Sequence, residues 1–119
     1  MAVAKLIRAS EQPFACPPNH EKTDGYPIFT PATVGAEQIE FFLVDIHPGG
    51  AGLEDRHPDT EHGFFMISGR AEVTVEDETF IMEPEDGVFI PKGALHTIKP
   101  LDDKKIHFVA FMAPARQPS

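Results

Sequence analysis

The 119-residue chain is poor in several things. It has one cysteine, Cys16, so no disulfide can close within it, and this scarcity points to a reducing compartment. Basic residues are few. Ten Lys and Arg stand against 19 Asp and Glu, a formal net charge of -9. Nucleic acid and anionic membrane are disfavoured as partners, because both call for a basic footprint. No apolar run near the start suits a secretory signal, and none approaches the ~20 residues of a membrane span, so a soluble cytoplasmic protein is expected. No window free of Gly and Pro sustains a helical period over ~10 residues, which leaves no convincing helix. Internal repeats and low-complexity tracts are missing as well, and solenoids go with them.

What is present reads as one ordinary globular domain, with 41% apolar and 24% charged residues. Nine glycines and 12 prolines are spread along the chain and cut it into short segments. Those segments read as strands: Ile39 to His47, Gly63 to Ser68, Ala71 to Val75, Thr79 to Met82, Gly87 to Ile90, His96 to Ile98 and Lys105 to Met112. Many short strands at this spacing predict an all-β sandwich or barrel. Residues 1–38 carry Pro13, Pro17, Pro18, Pro27 and Pro31, which allow an edge strand or a wrapping arm but no central strand. The barrel is expected over residues 39–112, followed by a loose tail over 113–119.

Chemistry-bearing residues centre on six histidines. His20 and His47 are taken as structural. Asp55 and His57 stand at i and i+2, one face of an extended chain, and Pro58-Asp59-Thr60 then offers a turn. His62 opens the next apolar run, with Phe64 and Met66 on its face. Pro91-Lys92-Gly93 makes a tight turn that delivers His96, with Ile98 following on the same face. Imidazoles and a carboxylate from two neighbouring strands and one distant strand can surround a divalent ion at ~2.0–2.3 Å.

The stretch from Pro48-Gly49-Gly50 through Asp55-Arg56-His57 and Glu61-His62 to Gly69 resembles the first motif of the cupin superfamily. Pro91-Lys92-Gly93-Ala94-Leu95-His96 resembles the second. The resemblance implies a small single-domain cupin, a double-stranded β-helix or jelly-roll barrel. Counting within the motifs places Asp55 where the family has its first histidine and His62 where it has glutamate. The second motif opens on Glu85 where the family has glycine, and Pro100 stands where it often has asparagine. The implied ligand set is Asp55, His57, His62 and His96, with Glu61 as a substitute ligand that points away if His62 points in. A further similarity, to the ligand pattern of ureidoglycine aminohydrolase-type cupins, is imperfect in spacing.

Such a set suits Mn, Fe, Co, Ni, Cu or Zn. Asp55 is either a ligand or, beside a three-histidine centre, the general base. The expected pocket wall is Phe64, Met66 and Ile98, with His107 on the last strand as a further candidate. The expected substrate is a small organic metabolite with a carbonyl or carboxylate. Three readings compete: a metal-dependent lyase, isomerase, hydrolase or dioxygenase, a non-catalytic ligand-binding or sensory cupin, and a structural or interaction module without metal. A homodimer is expected, its sheet edges covered with help from the amino-terminal arm.

Overall fold

Proline and glycine sit where this chain must turn, and β-branched and aromatic residues fill the stretches between. The backbone therefore finds its hydrogen bonds between strands rather than within helices. The computed structural model describes residues 3–116. Eight strands follow one another: β1 (His20–Phe29), β2 (Glu40–Asp55), β3 (Glu61–Ser68), β4 (Ala71–Val75), β5 (Glu78–Met82), β6 (Gly87–Ile90), β7 (His96–Pro100) and β8 (Ile106–Ala113). Helical structure among the described residues amounts to a 3-10 turn at Ala9–Glu11 and a single α-turn, α1 (Pro31–Val34). None of it is long and apolar enough to cross a membrane.

The strands form one nearly closed antiparallel sheet in the order β5-β4-β7-β2-β8-β3-β6, with β1 paired to β2. This is the all-β barrel expected, and β2 is what closes it. Its first half, Glu40 to Ile46, pairs with β8, while Gly52 and Asp55 pair with β7. The chain thus passes from one half of the barrel to the other at Pro48-Gly49-Gly50. Gly49 lies at φ +84°, and a Cβ on Gly50 would run into the carbonyl oxygen of Glu21 on β1. The strand expected over residues 39–47 consequently runs on to Asp55, because the two glycines let it bend without ending.

Alternation along each strand sends one set of side chains inward. Ile46, Met66, Val73, Ile98, Ile106 and Phe108 are almost fully buried and form the centre of the core. The proline-rich stretch that allows an edge strand or a wrapping arm supplies β1, which pairs with β2 off the main strand path. The arm preceding β1 turns back on its own barrel: Ala15 and Gly25 exchange two backbone hydrogen bonds, and the Phe14 ring lies 5.2 Å from that of Tyr26. The segment from 113 onward, expected to be loose, is held through Arg116, because the buried carboxylate of Glu40 requires a cation and finds it there. Residues 117–119 of that tail lie outside the described residues.

Candidate functional site

Three imidazoles meet at one place. His57 follows the end of β2, His62 begins the inward face of β3, and His96 opens β7 directly opposite Asp55. The turn before His96 is built as its residues require. Gly93 adopts φ +74°, and the Ala94 N–H donates to the Pro91 carbonyl at 3.2 Å. The Gly93 N–H donates to the His57 carbonyl at 2.9 Å, tying this turn to the loop that carries the first imidazole. Ring centroids stand 5.0 Å apart for His57 and His62, 5.1 Å for His62 and His96, and 5.4 Å for His57 and His96. One nitrogen from each ring lies within 4.8 Å of the other two.

The tautomers and charges suit metal ligation. The His96 Nδ1–H donates to the Ala94 carbonyl at 3.1 Å, which makes Nε2 the nitrogen left for a metal. His62 is buried with neither ring nitrogen hydrogen-bonded, an arrangement that buried polar atoms rarely keep without a partner. Burial, then the neighbouring imidazoles, push its pKa down to about 2, so it is neutral throughout the ordinary pH range. Burial also lowers the pKa of His57, against an opposing pull from Asp55. Neutral imidazoles are what a divalent transition metal takes, and the three residues fit one.

Asp55 stands beside this group rather than within it. Its carboxylate is 3.7 Å from His57 Nε2 and accepts the Arg56 N–H at 2.8 Å, but it is not among the donor atoms that lie within 4.8 Å of one another. Glu61 is exposed on the opposite face of β3 from His62, as alternation requires.

The imidazoles face a cavity of about 480 Å³. Phe64 and Ile98 line it together with Asp55. Met66 does not: it shares the face of Phe64 but sits one step deeper, fully buried in the core. His107 is a correction of a different kind. The register sets Asp45 opposite His107, whose Nδ1–H donates to Asp45 Oδ1 at 2.6 Å on the outer face, while Phe108, Ala110 and Met112 take the inward positions of β8. His47 is structural as expected, bonded to Asp24 at 2.9 Å. His20, taken as structural too, instead lines the cavity. Its Nδ1–H donates to the Pro18 carbonyl at 2.7 Å. Phe14 and Pro17 of the arm and Arg116 beyond β8 complete the wall. A Pro-x-His beside a strand start is the only local hint of His20's role, and nothing in the local pattern marks Arg116.

Comparison with known proteins follows the same lines. Polyketide synthase CurC of Streptomyces cyaneus is 32% identical over 93 residues, 77% of this chain and 60% of that protein. The tetracenomycin polyketide synthase protein TcmJ of Streptomyces glaucescens is 26% identical over 98 residues, 82% of this chain and 63% of that one. The chain thus spans less than two thirds of the length of either. Among solved structures, KdgF from Halomonas sp. superposes with a TM-score of 0.81 at 16% identity, covering 97% of both chains. The polyketide cyclase RemF from Streptomyces resistomycificus does so with a TM-score of 0.81 at 18% identity, covering 98% of this chain and 83% of that one. The cupin domain profile matches residues 42–112, the stretch that holds β3 to β7 and all three clustered imidazoles, and the chain belongs to the cupin family.

Proposed function

We infer that this cupin is a metal-dependent enzyme acting on a carbonyl-bearing small molecule of the polyketide kind. The observation that carries the reading is the set of three clustered imidazoles facing a single cavity whose other walls are largely apolar. The similarity to polyketide synthase proteins and to the fold of a polyketide cyclase supports the substrate class. His57, His62 and His96 would hold the metal. When bound, a divalent ion at such a site supplies Lewis acidity at a substrate oxygen.

The chain's own residues supply the rest. Phe64, Ile98 and Phe108 give the substrate an apolar bed and keep water from it. Asp55, beside His57, is the base for a proton on the carbon next to a carbonyl. The C–H pair moves toward the carbonyl, whose oxygen takes up the negative charge. His20 is a second polar side chain within the same wall. The lone exposed thiol of Cys16 suits work in the cytoplasm. The protein acts as a homodimer, supported by the apolar side chains exposed on the outer face of the sheet: Phe65 on β3, Phe89 on β6 and Phe111 on β8.

The test is elemental analysis of tag-free protein, followed by incubation with a linear poly-β-ketone and mass spectrometry of the products. One equivalent of metal per chain is expected, lost in the His57→Ala/His62→Ala double variant together with substrate turnover. Wild-type protein that takes up no metal from an excess of Mn, Fe, Co, Ni, Cu or Zn would overturn the reading.

A further inference from the structure

Of the described residues that line the cavity, Arg116 is the only lysine or arginine. In a chain of net charge -9 such a placement is notable for its sign. The guanidinium is held from one edge. The Arg116 backbone N–H and its Nε–H both donate to Glu40 Oε1, the second at 3.0 Å, and Nη2 reaches Oε2 at 3.5 Å. Glu40 itself is only 4% exposed, so its charge is tolerable only with this partner. In return it fixes the guanidinium with its carbon 5.8 Å from the centre of the Phe42 ring, another cavity wall. Nη1 has no hydrogen bond among the described residues, and the side chain stays 43% exposed. Its positive charge is felt by both His57 and His62, where it favours the neutral ring. Asp55, the only acidic residue on the wall, lies beside His57 instead.

We propose that Arg116, positioned by Glu40, is the anion-recognition residue of this cavity, and that the ligand pairs an apolar ring body with a carboxylate. A planar guanidinium with one edge occupied offers its remaining N–H groups side by side, the geometry a carboxylate accepts. A volume of about 480 Å³ leaves room for two or three fused rings between that carboxylate and the imidazoles. The proposal rests on the cavity being the substrate site, as inferred above, but not on the metal. A carboxylate could equally bind a metal at the imidazoles, and the test separates the two.

The probe pair is 2-naphthoate and its uncharged counterpart 2-naphthamide, titrated by calorimetry into full-length protein, metal-loaded and chelator-treated. Wild type is expected to bind the acid at least about tenfold more tightly than the amide in both forms, the scale of one charge-assisted hydrogen bond. Arg116→Gln should abolish that ratio by weakening binding of the acid far more than that of the amide. Glu40→Gln/Arg116→Gln, which leaves no unpaired buried charge, should do the same. Glu40→Gln alone should reduce the ratio, which a merely structural role for Glu40 would not. A ratio that survives Arg116→Gln, or no binding of the acid by wild type, overturns the proposal. A preference confined to the metal-loaded form also overturns it, since the carboxylate is then on the metal. Protein that takes up no metal yet keeps the acid preference after chelation would sink the metal-dependent reading and leave Arg116 standing.

Discussion

His62 folds with both ring nitrogens buried, and the cost of that depends on pH. Its pKa falls from 6.5 in the unfolded chain to about 2 in the folded one. Between those values the unfolded chain binds a proton that the folded chain does not. Stability of the metal-free protein is therefore full above pH 6.5 and declines as pH falls below it. At pH 4.5 the loss amounts to about 2–3 kcal/mol from this one ring, and His57 shifts in the same direction. Urea denaturation of chelator-treated protein at pH 7.5 and 4.5 measures it. His62→Phe, which has nothing to protonate, should lose less between the two pH values, and an equal loss would count against the burial argument. Single residues also mark how far local pattern reaches. His62 and Phe64 follow from alternation on one strand, which needs no partner to be read. His107 and His20 do not. Which face of β8 turns inward depends on its register with β2, and His20 gains its place only because Pro18 aims the ring from an arm that folds back.

Among the elements, β2 does most to shape the site, since its two halves belong to opposite sides of the barrel and its end carries Asp55. The bend depends on Gly50, where the backbone of β1 comes too close for any side chain. Gly50→Ala should cost more than ~2 kcal/mol, as overpacking against rigid backbone does. Gly87→Ala on β6, whose nearest neighbour would be the Phe64 carbonyl oxygen at 3.8 Å, should be neutral or slightly stabilising. Thermal melts of the two variants side by side give the comparison, and equal melting temperatures would show that β2 can bend without the glycine. Strands β3 to β8 were legible because each is a run of β-branched and aromatic residues bounded by turn signals. The passage of β2 through Pro48-Gly49-Gly50 was not, since such a triplet more often ends a strand than bends one. The contacts of the arm and of the segment after β8 lie beyond local pattern for a related reason. Both lack strand periodicity, yet each is held by a few contacts, Ala15 with Gly25 and Arg116 with Glu40, to residues distant in sequence.

For the molecule as a whole, the dimer proposed above is placed on the outer face of the sheet. Phe65, Phe89 and Phe111 stand between 38% and 61% exposed on the outer face, and Phe111 stacks on Phe41 at 5.8 Å. Sedimentation equilibrium at micromolar concentration should give twice the chain mass of 13.1 kDa, and Phe89→Lys should shift it toward the monomer. A wild-type monomer at that concentration would remove the dimer from the account. The all-β class, the turn that delivers His96, the inward face of β3 and the supply of metal-ligating side chains could all be settled from residue order alone. Each rests on steric and hydrogen-bonding preferences that act over a handful of neighbours. Closure of the barrel settled the rest: that Asp55 stands beside the imidazoles rather than among them, that Met66 belongs to the core, and that Phe14, His20 and Arg116 share one cavity. The cavity joins positions as distant in sequence as Phe14 and Arg116, and the strand pairing that creates it is selected by burial over the entire sheet, which no local stretch encodes.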